Sequence, residues 1–188
     1  MEAQESKFSD LELYAKCKKR VKKDFPKQGV SFLDFNQCFL CAEFVRDLAD
    51  FFIQEAEITS EDVIFAPEAR GFILGPVIAE RCGCAFVPLR KPGKLPNFGN
   101  IRTEIYGTEY SKDSLDLDLD LLSDRKIRNI IIYDDVLATG GTAAAAVRLA
   151  KLCSPKEIKC CFFAEILDLG GCKFEDLADI SIHSLMLI

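Results

Sequence analysis

One segment constrains this chain more than any other: Ile130-Ile131-Ile132-Tyr133-Asp134-Asp135-Val136-Leu137-Ala138-Thr139-Gly140-Gly141-Thr142. The apolar run from Ile127 to Tyr133, broken only by Arg128 and Asn129, predicts a buried strand. Two consecutive carboxylates end it, a loop of small residues follows, and the alanine-rich stretch Thr142–Leu152 predicts a helix. Each part suits an anionic sugar. Gly140 and Gly141 let the backbone approach an anion and adopt positive φ. The helix start presents free amides and the positive end of its dipole. The hydroxyls of Thr139 and Thr142 can donate to phosphate oxygens. Asp134 and Asp135 repel phosphate but accept hydrogen bonds from two adjacent hydroxyls, as on a ribose. An ordinary strand-to-helix connection with an aspartate cap explains one acid and one threonine, not the whole set. The segment, Ala138 included, therefore reads as a binding site for a ribose phosphate. It is not the dinucleotide G-x-G-x-x-G, and it lacks the lysine of G-x-x-x-x-G-K-[ST].

The rest of the chain predicts the setting. Leu11–Lys23 reads as a helix with a basic, solvated end, Phe25–Phe35 as a loop, and Cys38–Glu55 as a helix. Val63–Ala66 and Ala85–Leu89 read as short strands flanking a helix over Gly71–Cys82. Lys91–Thr108 reads as a long loop with Pro92, Gly93, Pro96, Gly99 and Gly107. The Leu/Asp alternation from Leu115 to Leu121 predicts a half-buried strand, leucines inward and aspartates in water. Glu157–Glu165 and Ser181–Leu187 complete the strands. Strands alternating with helices indicate an α/β fold with a mostly parallel central sheet flanked by helices. Ligands of such sheets sit at the carboxyl ends of the strands. Three loops qualify: Pro67–Gly71, Arg90–Thr108 and Asp134–Thr142.

The length of 188 residues, with no repeat or composition break, suits one domain. A net charge of −6 argues against coating nucleic acid or an anionic membrane. No stretch approaches the roughly 20 apolar residues of a membrane span, and the polar, acidic start lacks a signal-peptide pattern. These features predict a cytoplasmic protein. The nine cysteines are then expected to be free, mostly buried thiols. Cys38 and Cys41 open an apolar helical pattern, which suits neither a redox nor a zinc site.

The acid pair and T-G-G-T resemble the signature of the type I phosphoribosyltransferases, which bind 5-phosphoribosyl 1-pyrophosphate (PRPP). Three further segments resemble the adenine branch of that family: Phe25-Pro26-Lys27-Gln28-Gly29-Val30-Ser31-Phe32, Glu68-Ala69-Arg70-Gly71-Phe72-Ile73-Leu74-Gly75, and Arg90-Lys91-Pro92-Gly93-Lys94-Leu95-Pro96. With the PRPP loop they cover most of residues 25–145 in the family's order. The resemblance implies a single domain over 1–188 in the type I phosphoribosyltransferase fold, with a small N-terminal hood over about residues 1–36. It implies purine salvage: adenine and PRPP give AMP and pyrophosphate, with Mg²⁺ held by PRPP and pyrophosphate oxygens rather than by the protein directly, in a homodimer.

Residue by residue, the resemblance assigns PRPP and AMP to Asp134, Asp135, Ala138, Thr139, Gly140, Gly141, Thr142, Lys94 and Tyr110. Arg70 and Lys91 carry positive charge for the leaving pyrophosphate; Arg70 also opens a helix at a strand end, an anion-friendly place. Lys94 alone reads equally well as an exposed loop residue. Glu109, beside Tyr110 in the family's lid, is expected to act as general base or acid on the purine, or to stabilise the transition state. Val30 and Ser31 are expected to read adenine through their backbone, and Ile166 to wall the purine or simply fill the core. Leu33 replaces a common family arginine. A 6-oxopurine enzyme is the first alternative, but Val136, Leu137 and Ala138 offer no lysine for a 6-oxo group. A non-catalytic regulator sensing PRPP or a purine is the second, but the chain retains Glu109 and has no basic extra domain.

Overall fold

A computed structural model describes residues 21–24, 28, 32–96, 99–108 and 111–188. They fall into two compact units, 1–51 and 52–188.

In the first unit β1 (Val21–Lys22) pairs antiparallel with β2 (Phe32–Leu33). The helix expected to reach Lys23 is therefore a strand at Val21–Lys22, and part of the expected loop is its partner. Directly after the strand the chain turns at Asp24, whose φ is +58°. Residues 11–20 of that expected helix lie outside the described residues. Asn36–Leu40 is a 3-10 turn, so the helix expected from Cys38 begins at Ala42 as α1 (Ala42–Glu55). Phe35 is buried and meets Phe39 edge-on at 5.6 Å. Cys38 is disulfide-bonded, against the expectation of a free thiol. Cys41, Cys82, Cys84, Cys153, Cys160, Cys161 and Cys172 are free.

The second unit is built on five parallel strands. They are β3 (Val63–Pro67), β4 (Ala85–Leu89), β7 (Asn129–Leu137), β8 (Glu157–Glu165) and β9 (Ser181–Leu187), in the order β4-β3-β7-β8-β9. Strands buried on both faces need apolar residues at successive positions, which Ile130–Tyr133 and Cys160–Ala164 supply. Each fully buried Ile or Phe side chain contributes about 1.5–3 kcal/mol. Phe52, in the last turn of α1, meets Tyr133 edge-on at 5.4 Å. Helices α2 (Gly71–Cys82) and α3 (Gly141–Lys151) follow β3 and β7 directly. Among the described residues no helix is long and apolar enough to cross a membrane.

The stretch expected to be a loop as far as Thr108 is a strand from Ile101. β5 (Ile101–Thr108) pairs antiparallel with β6 (Ser111–Asp118). The turn-forming prolines and glycines cluster before Asn100, and Ile101, Thr103 and Ile105 then alternate as a strand should. β6 contains the Leu/Asp alternation but stops at Asp118, where Leu119–Leu122 closes into a 3-10 turn. Leu115 and Leu117 are buried as expected. Asp116 is not in water: it is buried, accepts the Thr103 hydroxyl at 2.7 Å, and exchanges two backbone hydrogen bonds with Arg90.

Candidate active site

The chain leaves β3 to one side to form β4, then returns to the other side of β3 to form β7. The strand order thus reverses between β3 and β7, and a crevice opens there at the carboxyl ends. The register shows how. The last β3–β7 pair is Phe65 with Ile132, whereas β7 stays paired to β8 as far as Leu137 with Glu165. Among the described residues Tyr133–Leu137 therefore has a strand neighbour on one side only, and Asp134 and Asp135 lie on this half-paired strand end rather than in a loop.

The start of α2 passes close over the same strand end. A side chain at Gly71 would meet the Tyr133 carbonyl at 2.9 Å, so only glycine allows the approach. Arg70, just before it, reaches Asp135, with Nη1 2.7 Å from Oδ2. This is a charge contact rather than an aligned hydrogen bond, and among the described residues the buried Oδ2 accepts none. Asp134 is half-buried, and its Oδ1 accepts the Asp135 amide at 2.9 Å. Burial pushes both carboxyls above the usual range. The charge of Asp135 pushes Asp134 further, whereas Arg70 pulls Asp135 partly back. Two carboxyls so placed hold surplus negative charge that a cation or a pair of hydroxyl donors would relieve.

The small-residue loop divides its work between its two glycines. Gly140 has φ +86°, and a Cβ there would lie 2.6 Å from the Gly171 carbonyl, so it is required by the turn packed behind it. Gly141 begins α3, and its Cβ direction faces the ring of Tyr106. The first helical bond of α3 runs from Ala144 N to Gly140 O at 2.8 Å, and among the described residues no side chain caps the helix. The amides of Gly141, Thr142 and Ala143 are thus the unsatisfied donors of a helix start. Thr139 is exposed beside them, and Thr142 and Ala138 are half-buried.

The loops after β3 and β4 are tied together by Glu68, which sequence reasoning did not single out. Its Oε2 accepts Arg90 Nε at 3.0 Å and Lys91 N at 2.9 Å, and its own amide donates to Leu89 O at 2.8 Å. The hydrogen bonds from the Lys91 amide and the Arg90 side chain hold the Glu68 carboxyl below its usual range. Arg90 also lies 5.9 Å from the centre of the Phe72 ring. The Glu68–Ala69 peptide is cis. Lys91 donates its ammonium to Tyr106 Oη at 2.6 Å and to Asp113. Lys94 is exposed in the following turn, its amide 3.2 Å from Lys91 O. Ile166 is half-buried at the end of β8, where its amide donates to Leu137 O at 2.9 Å. Val30, Ser31, Glu109 and Tyr110 lie outside the described residues.

Of the expected residues, the fold thus brings Arg70, Asp134 and Asp135 to one crevice, with Ala138–Thr142 continuing the same strand into α3. Glu68 and Arg90 stood inside quoted motifs, and their charge at a strand end was the available signal. Tyr106 and Asp113 gave none.

A phosphoribosyl transferase domain matches residues 41–180. The adenine phosphoribosyltransferase of Bacteroides fragilis is 37% identical over 164 residues, 87% of this chain and 90% of that protein. The crystal structure of adenine phosphoribosyltransferase from Thermoanaerobacter pseudethanolicus superposes with a TM-score of 0.78 at 35% identity, covering 93% of this chain and 99% of the other. That of the Saccharomyces cerevisiae adenine phosphoribosyltransferase, solved with an imino-altritol bisphosphate and adenine, gives 0.77 at 31% identity over 93% and 98%. The sheet order, the acid pair at the switch point and these likenesses agree, and the chain belongs to the phosphoribosyl transferase family, among its adenine phosphoribosyltransferase enzymes.

Proposed function

We propose that this chain transfers the 5-phosphoribosyl group of PRPP to N9 of adenine, yielding AMP and pyrophosphate. The observation that carries the reading is the switch-point crevice, where an acid pair for the ribose hydroxyls is followed on the same strand by the uncapped start of α3. In this reading Asp134 and Asp135 accept from the ribose diol, and the amides of Gly141–Ala143 with the hydroxyls of Thr139 and Thr142 take the 5-phosphate. Arg70, Lys91 and Lys94 stabilise the diphosphate as the C1–O bond breaks and charge moves onto it. The C1–N9 bond forms as N9 loses its proton. Glu109 takes that proton or stabilises the cationic sugar, and Tyr110 borders the same site. Val30 and Ser31 read the base and Ile166 walls it.

A Mg²⁺ ion held by PRPP and pyrophosphate oxygens fits the surplus negative charge of the acid pair; when bound it would neutralise the leaving group. Among the described residues no group of three or more His, Cys, Asp or Glu is placed to hold a metal ion by itself.

Two wider features belong to the same proposal. Helix α2, GFILGPVIAERC, is apolar nearly all round, and Ile73 on it is 40% exposed, which fits a homodimer with this helix in its interface. The setting is a cytoplasmic salvage enzyme. Sedimentation should give twice the 21.0 kDa chain mass. Steady-state assays with PRPP and adenine, hypoxanthine, guanine or xanthine test the reaction itself. Adenine is expected to give the highest kcat/KM, and a preference for a 6-oxopurine would overturn the reading.

A further inference from the structure

Lys91 is not waiting free for an anion. Its ammonium donates to Tyr106 Oη at 2.6 Å and to Asp113 Oδ2, and Tyr106 Oη donates to the same Asp113 oxygen at 3.0 Å. Tyr106 and Asp113 are directly opposite each other in the β5–β6 register, so their side chains share one face of the hairpin. Asp113 is braced in turn, since its Oδ1 accepts the Ser114 amide at 2.8 Å. The Tyr106 ring lies against the start of α3, within 3.4 Å of where a Gly141 Cβ would stand. Burial pulls the Lys91 proton affinity down, but the bonds to Asp113 and Tyr106 more than reverse this. Burial pushes the Asp113 carboxyl up, but Lys91, the Ser114 amide and the Tyr106 hydroxyl together hold it below its usual range. Both groups are thus charged at neutral pH.

We propose that Asp113 is a resident counter-anion for Lys91, which the diphosphate of the substrate must displace. An ammonium has three donors, and two are engaged here. A diphosphate reaching Lys91 meets the Asp113 carboxylate on the same ammonium and is repelled by it. Binding is therefore an exchange: Lys91 leaves the hairpin and takes the ligand. Asp113 acts through Lys91 and is a positioning residue, not a catalytic one. The inference rests on Lys91 meeting the diphosphate, as in the function proposed above.

The test is calorimetric titration of magnesium pyrophosphate into the full-length wild type, Asp113→Asn, Lys91→Met and the double variant. Asparagine keeps an acceptor for the Ser114 amide, so the hairpin is expected to persist. The side chains of Lys91 and Asp113 are 31% and 45% exposed, so solvent screens the pair and the effect is modest. Asp113→Asn should tighten pyrophosphate binding about threefold to fivefold, less at high salt. The gain should vanish in the Lys91→Met background, because the cycle then has no ammonium to release. Tyr106→Phe, which loosens Lys91 but keeps the carboxylate, should give a smaller gain of about twofold. Unchanged or weaker binding by Asp113→Asn, with Lys91→Met impaired, overturns the exchange and leaves the site assignment standing. A gain that persists without Lys91 overturns it too, as a general field effect. Equal affinity of Lys91→Met and wild type removes both the exchange and the role given to Lys91.

Discussion

Arg70 Nη1 stands 2.7 Å from Asp135 Oδ2, joining the loop that leaves β3 to the end of β7 across the switch point. The two partners are unlike: the Asp135 side chain is 3% exposed and that of Arg70 is 48% exposed. A buried anion is thus compensated by a cation that still faces solvent. Burial makes the acid pair costly to keep ionised, a cost that hydroxyl donors or a cation would relieve.

Asp134→Asn should therefore stabilise the ligand-free protein and cripple it as an enzyme. Burial and the Asp135 charge raise the Asp134 carboxyl, so its ionised form opposes folding. The sign follows: an acid raised in the folded state favours folding while protonated, and this is lost as pH rises from the ordinary carboxylate range, near 4, through the raised folded value. Asparagine keeps Oδ1 for the Asp135 amide and removes the charge. We expect a gain of about 1 kcal/mol at pH 7, or roughly 2–4 °C in Tm for a chain of this size. kcat/KM for PRPP should fall about 10- to 100-fold, the worth of a hydrogen bond to a charged group. Thermal melts and steady-state kinetics on one preparation check both halves.

Glu68→Ala should act on PRPP binding more than on turnover. It leaves Arg70 and the acid pair in place but frees the Arg90 guanidinium and the Lys91 amide. KM for PRPP should rise about tenfold with a smaller change in kcat, the signature of a lost positioning contact. Glu68 is lowered in the folded state, so its contribution to stability is present above its unfolded value. It is lost as pH falls through the ordinary carboxylate range and below, near 4. The Tm difference between wild type and variant should be full at pH 7 and shrink toward zero in acid.

The chemistry of the acid pair was legible in the sequence because strand, carboxylates, glycines and helix start are contiguous, so local pattern carries the whole device. The parallel sheet was legible for a similar reason: Ile130–Tyr133 and Cys160–Ala164 are apolar without alternation. What escaped depends on pairing across distance. β5 looked like loop because Gly107 and the preceding prolines outweighed Ile101, Thr103 and Ile105, whose strand character is realised only against β6. Asp116 looked solvated because its partners, the Thr103 hydroxyl and the Arg90 backbone, come from elsewhere in the chain. The hold of Asp113 and Tyr106 on Lys91 is of the same kind.

Gly140→Ala and Gly141→Ala should separate the two glycines. At Gly140 the backbone is left-handed and a methyl would lie 2.6 Å from the Gly171 carbonyl and 3.0 Å from Phe174 Cβ. That should cost about 2–4 kcal/mol, from strain and a backbone clash together. At Gly141 the nearest atom is Tyr106 Cδ2 at 3.4 Å, an ordinary contact, and alanine favours the helix. Its stability should stay within about 0.5 kcal/mol of wild type. Urea denaturation of the two variants checks the contrast, and equal losses would contradict it.

Arg148, on α3, is the anchor of the β5–β6 hairpin. Its Nε donates to Glu104 Oε2 at 2.7 Å, its Nη1 to Asp176 Oδ2 at 2.6 Å, and its Nη2 to Ile105 O at 3.2 Å. One guanidinium thus ties β5 to the helix that begins at Gly141 and to the 3-10 turn Glu175–Leu177. Its planar fork suits this triple use, which lysine could not reproduce. Arg148→Met keeps the aliphatic stem and removes all three bonds. The side chains are about a quarter to a third exposed, at 29%, 30% and 26% for Arg148, Glu104 and Asp176, so the loss should be about 1–2 kcal/mol rather than that of a dry ion pair. The informative readout is local. Amide exchange in Ile101–Thr108 should speed up well beyond that in β7 or β8, because the sheet does not depend on this contact. Since Tyr106 rides on the same strand and holds Lys91 back from the diphosphate, KM for PRPP should fall slightly while circular dichroism stays that of the wild type. Exchange that rises equally in β7 would mean that Arg148 supports the whole fold, and would remove its role as hairpin anchor.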